Sequence, residues 1–169
     1  MRSMNFVQIE KTNITHFNLF KELLISYIEE IDKHHPDREA TSRETISEYA
    51  QGMINMQGVY DRHLELCYDG DKLIGFYYAK VDHEGHKGFI KPEYCFIMEF
   101  YVVPQYRRRR YGQAMFKRIQ SQFACHNVEK MYLTADPVTG EPFWIFLGFE
   151  HYGEISPENR QKIFEKKIL

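Results

Sequence analysis

The chain has 169 residues and carries 22 lysines and arginines against 24 aspartates and glutamates, a formal net charge of -2 at pH 7. This near balance argues against a dedicated nucleic-acid-binding protein, whose affinity comes largely from summed positive charge. Apolar residues make up 43% of the chain, enough for a sizeable core and too much for a disordered chain. The length predicts one domain, residues 1–169, and no apolar stretch approaches the roughly 20 residues of a membrane span.

The cysteines, histidines and first residues bear on disulfides, metal binding and the cellular compartment. The three cysteines are widely spaced and form no CxxC pair, so we predict neither a disulfide framework nor a zinc site. His83-x-x-His86 and His34-His35 lie in polar turns without a second cluster, so no metal is expected. The first residues lack the apolar segment of a secretory signal. These features predict a cytoplasmic protein.

In chain order, the first half predicts a strand, two helices and a hairpin. A short alternation at 7–9 indicates a strand, and apolar residues at helical spacing predict a helix over 17–31. The segment Thr41-Ser42-Arg43-Glu44 provides caps for a second helix through roughly Met53, which ends near Gly52 or Gly58. Two alternating segments, 63–68 and 73–81, flank the turn Asp69-Gly70-Asp71 and predict a β-hairpin.

The second half begins with the most apolar segment, 94–103, which predicts a central strand buried on both faces. It continues with a helix from 111 or 112 to about 123, a strand at 131–135, a short helix at 143–147, and closing strands at 149–155 and 163–168. The unit from 94 to 135 predicts a right-handed parallel crossover. The fold class is therefore α/β in the α+β sense: a single mixed, mostly antiparallel sheet flanked by helices.

Four consecutive arginines, Arg107–Arg110, lie where the central strand passes into the following helix. The first backbone N–H groups of a helix have no partner within the helix, and the helix dipole adds about half a positive charge there. Phosphate binds readily to such an end, and Gly112 lets a bulky anion approach the backbone. We interpret the segment as an anion site. A nucleic-acid patch and a merely solvated basic turn are the alternatives.

The same segment resembles a family signature. Val102-x-Pro104-x-Tyr106-Arg107-x-x-x-x-Gly112 is similar to the acetyl-CoA signature of the GNAT superfamily of N-acetyltransferases: an Arg or Gln, two residues, a Gly, one residue, then a Gly or Ala. The preferred register places Arg107 first and Gly112 last, with Arg110 at the family's first glycine. A second register, Arg109-x-x-Gly112-x-Ala114, also satisfies the pattern, but the first aligns more of the flanking residues.

A second motif supports the resemblance. Family members carry a short helix ending in Tyr-x-x-x-Gly-Phe, and Trp144-Ile145-Phe146-Leu147-Gly148-Phe149 has this spacing with tryptophan in place of tyrosine. The predicted element order also matches the family over nearly all of the chain. The resemblance implies the GNAT-like acyl-CoA N-acyltransferase fold.

The resemblance further implies acetyl-CoA as co-substrate and a set of contacts for it. Backbone groups of Val102 and Val103 would hold the acetyl-pantetheine part, and Arg107–Gly112 the diphosphate. Trp144 would be a wall or weak donor beside the cofactor, with plain core as the alternative. The implied cofactor-binding residues are Val102, Val103, Arg107, Arg108, Arg109, Arg110, Tyr111, Gly112, Gln113 and Trp144.

One carboxylate on the central strand is the candidate general base. Glu99 lies three residues before Val102, where relatives often place a base, and a carboxylate in an apolar strand is costly unless paired or functional. A structural acid is the alternative interpretation. A base is needed because a Lys-like amine, with a pKa of about 10.4, is only about one part in two thousand neutral at pH 7.

We therefore predict an N-acetyltransferase that moves an acetyl group from acetyl-CoA to a primary amine of a small molecule or protein. The acidic residues Glu29, Glu30 and Asp32 suggest a cationic acceptor, because the loop between the first two helices lines the acceptor site in GNAT-like folds. Non-catalytic alternatives are an acyl-CoA-binding or sensory module of the same fold and a small RNA- or ribosome-associated protein. No membrane partner is expected, and a homodimer remains open.

Overall fold

A computed structural model describes residues 3–168 of the chain. The strands are β1 Met4–Gln8, β2 His63–Asp69, β3 Lys72–Val81, β4 Cys95–Val102, β5 Lys130–Thr134, β6 Glu150–Ile155 and β7 Lys162–Lys167. The α-helices are α1 Ile14–Lys33, α2 Arg43–Asn55, α3 Tyr111–Ala124 and α4 Glu141–Phe146. Among the described residues, the sequence of strands and helices is the predicted one.

The strands form a single mixed sheet in the order β1-β2-β3-β4-β5-β7-β6, so β4 is the central strand, as predicted. β1 runs antiparallel to β2, and β7 runs antiparallel to both β5 and β6. β4 and β5 are parallel, which confirms the parallel pairing in the predicted crossover, while its right-handedness stays a prediction. The fold class predicted from the sequence is therefore confirmed.

The chain groups into two compact units. The first contains the described residues through Tyr78 together with Glu99–Gly112, and the second contains Ala79–Met98 and the described residues from Gln113 onward. The predicted base and the arginine turn lie in the first unit. Gln113 and Trp144 lie in the second.

Local side-chain caps explain where the first two helices begin. The Asn13 side chain accepts a hydrogen bond from the His16 N–H at 3.0 Å, and the Ser42 hydroxyl accepts one from the Thr45 N–H at 3.2 Å. Each satisfies a donor that has no partner within its helix. The Ser42 cap was predicted from the sequence, whereas β1 begins earlier than predicted because Met4 pairs with Asp69 of β2.

The central strand differs from its prediction in one respect. Cys95, Ile97 and Tyr101 are buried, but the other residues of β4 are only partly covered. A run of large apolar side chains is therefore compatible with one closed face and one partly open face, and burial on both faces was the wrong expectation. The ladder with β5 pairs Cys95 with Met131 and Phe96 with Tyr132, and β4 runs six residues beyond it.

The carboxyl end of β4 is fixed tightly to β3. A Cβ atom on Gly75 would lie 1.9 Å from the Tyr101 carbonyl oxygen, so only glycine permits this approach. Just beyond the strand, the Val103 N–H donates a hydrogen bond to the Ile74 carbonyl at 2.9 Å. The strand that leads into the arginine turn therefore has a defined position.

No helix within residues 3–168 is both long and apolar enough to cross a bilayer.

Candidate active site

The arginine turn has an unusual backbone. After a single 3-10 turn, Pro104–Tyr106, the chain reaches Arg108 and Arg110, whose φ angles are 62° and 67°. Non-glycine residues rarely adopt this left-handed conformation, which costs about 1–2 kcal/mol per residue. Arg110 occupies the position where the GNAT signature has glycine, and its φ angle explains why glycine suits that position.

The side chains of Arg108, Arg109 and Arg110 are exposed. None of them has an ion-pair partner among residues 3–168. They immediately precede α3, whose first N–H groups have no partner within the helix, and backbone in alternating conformations often forms anion-binding concavities. Three unpaired guanidinium groups beside a helix N-terminus constitute a site that suits a phosphate group.

Arg107 differs from the other three arginines. Its Nη1 and Nη2 atoms each lie 2.6 Å from one carboxylate oxygen of Glu30 on α1, and its Nε donates to the Val102 carbonyl at 2.8 Å. The guanidinium also lies over the Tyr101 ring, 5.6 Å from its centre. The hydrogen bonds from Arg107 hold the pKa of Glu30 below its usual range, although partial burial opposes this. The Arg107 side chain is thus an anchor, which leaves its backbone for the predicted cofactor contact.

The other end of the turn is anchored as well. Tyr111, the first residue of α3, is buried, and its hydroxyl donates a short hydrogen bond to the Asp69 carboxylate in the β2–β3 hairpin. Its ring packs edge-on against Tyr106, with centroids 6.2 Å apart. The predicted cofactor residue Tyr111 therefore contributes structure through its side chain. Gly112 is the second residue of α3.

Glu99 lies on β4 in the same unit. The residue is partly exposed, yet the surrounding protein desolvates its carboxyl group enough to raise the pKa of Glu99 to about 7. A hydrogen bond from the Tyr27 hydroxyl on α1 opposes this shift by stabilising the ionised carboxylate. A carboxylate with a pKa near 7 and access to water has the properties of a general base at neutral pH.

Sequence reasoning missed one of the side chains that interact with Glu99, whereas Tyr78 was a candidate either to line the cleft or to pack. Tyr27 lies on the apolar stripe of α1, where the pattern predicted only core packing, and its ring contacts those of Tyr101 and Phe76. Tyr78 on β3 is buried, interacts electrostatically with Glu99, and shares a hydrogen bond with Arg62. A tyrosine at an apolar position also carries a hydroxyl group that can bond to a carboxylate. Hydrophobic patterning counts only its ring and so overlooks this role.

In the second unit, Trp144 belongs to an aromatic cluster. It is 6% exposed, and its ring lies 5.0 Å from Phe143, 5.3 Å from Phe149 and 6.1 Å from Phe116, measured between centroids. This environment favours the core alternative over a wall beside the cofactor. Gln113 lines an open cavity of about 320 Å³, together with Phe116, Lys117, Gln120, Leu147 and Lys166.

The acidic residues near the end of α1 all have partners. Glu29 forms an exposed ion pair with Arg43 at 3.0 Å, and Glu30 pairs with Arg107. The Asp32 carboxylate accepts a hydrogen bond from the Thr41 N–H at 2.8 Å. These contacts explain the acidic cluster by local structure, without an acceptor.

Solved structures of acetyltransferases share this fold. An acetyltransferase from Thermus thermophilus is 14% identical with a TM-score of 0.69, and 99% of each chain is covered. PaiA N-acetyltransferase from Thermoplasma acidophilum, in complex with coenzyme A, is 15% identical with a TM-score of 0.67, covering 98% of this chain and 99% of that one. Aminoglycoside 6'-acetyltransferase type Ii is 17% identical with a TM-score of 0.70, covering 98% and 97%.

At such identities the structural likeness shows the fold alone, and the family follows from the sequence. The model of the acetyltransferase (GNAT) family matches residues 21–142, which include β4, the arginine turn and α3. The fold and the family model together define an acetyltransferase class of protein. The chain belongs to the GNAT acetyltransferase family, and the resemblance noted in its sequence is confirmed. No curated protein sequence matches it.

Proposed function

We propose that the protein transfers the acetyl group of acetyl-CoA to a primary amine, with Glu99 as the general base. The observation that carries this proposal is the arrangement on one strand: β4 bears a carboxyl group whose pKa is raised to about 7, and it leads directly into a turn with three arginines that have no ion-pair partner among residues 3–168. The carboxyl end of the strand would hold the anionic cofactor, and Glu99, three residues before that end, would activate the amine.

Glu99 would remove a proton from the acceptor ammonium, directly or through a water molecule. At pH 7 a carboxyl with a pKa of about 7 is about half ionised, so it is available as a base and still basic enough to take a proton. General-base catalysis of this kind typically contributes about 10²–10⁴ in rate. Holding the thioester and the amine in line would supply much of the remainder.

The cofactor contacts follow the family resemblance. Backbone groups of Val102 and Val103 would hold the acetyl-pantetheine part, and the segment Arg107–Gly112, with the side chains of Arg108–Arg110, would hold the diphosphate. Arg107 fixes the Val102 carbonyl, so this part of the backbone is already in place before the cofactor binds.

The leaving group needs little help. Thiols have pKa values near 8.5, so the CoA thiolate can depart without a strong acid. The indole N–H of Trp144 is not a comparable acid, and its buried position among Phe116, Phe143 and Phe149 supports a packing role for it. We accordingly propose that direct transfer proceeds without a dedicated acid from α4.

Calorimetric titration with acetyl-CoA tests the cofactor site. Replacing Arg108, Arg109 and Arg110 together with glutamine should weaken binding at least about tenfold, because charge-assisted contacts to phosphate are lost. A matched variant with glutamine at the exposed basic residues Lys11, Arg38 and Arg160 controls for the loss of net charge. Equal affinities for the two variants would contradict the assignment of the turn.

A second candidate function is a non-catalytic acyl-CoA-binding module. It is favoured by arginine at the signature's glycine position and by tryptophan in place of the family's tyrosine. Incubation with acetyl-CoA and a panel of primary amines separates the two functions: an enzyme releases CoA and yields an acetylated amine, whereas a binding module only retains acetyl-CoA. We propose the enzyme, acting in the cytoplasm on an amine that is an ammonium cation in solution.

A further inference from the structure

Arg62 is a half-buried cation without a counter-ion. Its Nη1 donates a hydrogen bond to the Val59 carbonyl at 3.2 Å, and it shares a second hydrogen bond with the Tyr78 hydroxyl. Among residues 3–168 no carboxylate forms an ion pair with it. Charged side chains are almost never fully buried unless paired, and the partners of the half-buried Arg62 among the described residues are both neutral, so its charge is available to an anion.

Tyr78 connects this cation to the candidate base. Its hydroxyl bonds to the Arg62 guanidinium, and it also interacts electrostatically with the Glu99 carboxylate. Its side chain is 4% exposed, so these interactions occur in a largely desolvated environment, where electrostatic interactions are strong. Within this unit the Tyr78 hydroxyl therefore interacts both with the Glu99 carboxylate and with the Arg62 guanidinium.

The backbone before Arg62 is strained. Gly58, Tyr60 and Asp61 have φ angles of 76°, 49° and 57°, and the left-handed conformation is unfavourable for the last two. The Val59 carbonyl, which holds the Arg62 guanidinium, belongs to this same turn. Strained non-glycine residues concentrate at functional sites, because the surrounding structure must maintain them for a purpose.

Two other arginines of this unit each form an ion pair with a glutamate on α1. Arg43 pairs with Glu29, and Arg107 pairs with Glu30. Glu29 and Glu30 on α1 are thus neutralised by protein groups, whereas Arg62, which bonds to Tyr78, has no carboxylate partner among residues 3–168. The charge that the described residues leave available to a ligand in this region is therefore the positive charge of Arg62.

We propose that Arg62 binds an anionic group of the acceptor whose amine faces Glu99, so that the acceptor is a small zwitterionic amine carrying a carboxylate or a phosphate. This inference rests on the proposed function for the role of Glu99. Opposite charges at the two ends of the acceptor would then be matched by opposite charges in the protein, which fixes its orientation.

Equilibrium binding of chosen probes to the wild-type protein loaded with CoA tests the proposal without any variant. The probes are glycine, β-alanine, γ-aminobutyrate and 5-aminovalerate, each compared with its amide, and phosphoethanolamine compared with ethanolamine. At least one acid should bind about tenfold or more tightly than its neutral counterpart. The preferred chain length gives the span from amine to anion, and the phosphate pair distinguishes the two kinds of anion.

Arg62→Gln should remove this preference by weakening the acids at least about tenfold while leaving the neutral amines within about twofold, as expected for the loss of a charge-assisted contact. Arg62→Lys should restore part of it, and Arg43→Gln, at an exposed arginine, should change neither series. Amides that bind as well as acids, no binding of any acid, or equal weakening of both series by Arg62→Gln would overturn the proposal. Failure of acetyl transfer with acid selectivity intact would count against the proposed function alone.

Discussion

At the scale of single residues, two arginines hold a backbone conformation that normally belongs to glycine. Arg110 has a φ angle of 67°, whereas the φ angle of the neighbouring Arg109 is not positive. We predict that Arg110→Gly relieves strain and that Arg109→Gly only adds flexibility to the unfolded chain. The difference between their free energies of unfolding should be about 1–2 kcal/mol in favour of Arg110→Gly.

Chemical denaturation of the two variants measures this difference, and comparing them cancels the loss of one positive charge. Equal stabilities would mean that the turn does not impose the left-handed conformation on Arg110. The prediction concerns stability only, because removal of either guanidinium should also weaken acetyl-CoA binding.

Tyr27 is expected to set the protonation of the candidate base. Its hydroxyl stabilises the ionised form of Glu99, so Tyr27→Phe should raise the pKa of Glu99 above its value of about 7. Since the ionised carboxylate is the active base, the rise of kcat/KM with pH should move to higher pH. Tyr49→Phe, at an exposed tyrosine on α2, provides the control.

A pH profile for Tyr27→Phe that coincides with the profile of the wild type and of the Tyr49 control would contradict this role. A loss of activity at every pH, without a shift of the profile, would likewise indicate that Tyr27 only packs against Tyr101.

At the scale of elements, α1 anchors the arginine turn through Glu30. Glu30→Gln breaks a two-pronged ion pair and should cost about 1 kcal/mol of unfolding free energy, a value discounted because Arg107 is 37% exposed. It should also raise the KM for acetyl-CoA. Glu29→Gln, the adjacent residue in an exposed pair with Arg43, should cost less than about 0.5 kcal/mol.

The same pair gives a pH dependence with a definite sign. The folded-state pKa of Glu30 lies below the ordinary value of 4.5, so its stabilisation is present above that value and is lost as the pH falls through the folded-state pKa. Acid titration of stability should therefore separate the wild type from Glu30→Gln above pH 4.5 and bring them together in stronger acid. Parallel curves over the whole range would contradict the account.

The elements themselves could be predicted from the sequence, because helical and alternating patterns, caps and turns are local. The anchoring of the site could not, because its partners are distant: Arg107 and Glu30 are 77 residues apart, and Tyr111 and Asp69 are 42 apart. The family resemblance placed Arg107 among the cofactor contacts, and nothing local shows that its side chain, unlike those of the three arginines that follow, is held by a distant carboxylate. Tyr27 was not recognised as a site residue because its ring fits the apolar stripe of α1, and that stripe explains its position without its hydroxyl group.

At the scale of the whole molecule, a net charge of -2 coexists with a local excess of positive charge on one turn. The overall balance argues against a long polyanion as partner, while three consecutive arginines without ion-pair partners in the described part of the chain suit a single diphosphate. We retain the proposal of one functional domain over the whole chain, in which β4 links the base to the turn. The family match over residues 21–142 includes that strand.

The replacement Glu99→Gln tests this account most directly, by measuring kcat/KM against pH together with acetyl-CoA affinity and stability in the same variant. We predict that kcat/KM falls by about 10²–10⁴ and loses its rise near pH 7, while acetyl-CoA affinity stays within about twofold. Because the folded state raises the pKa of Glu99, ionisation of this group destabilises the protein above pH 4.5. The variant should therefore be more stable than the wild type at pH 8, by roughly 1–3 kcal/mol. An unchanged pH profile, or a variant that is inactive because it no longer folds or binds acetyl-CoA, would contradict the claim that Glu99 is the base.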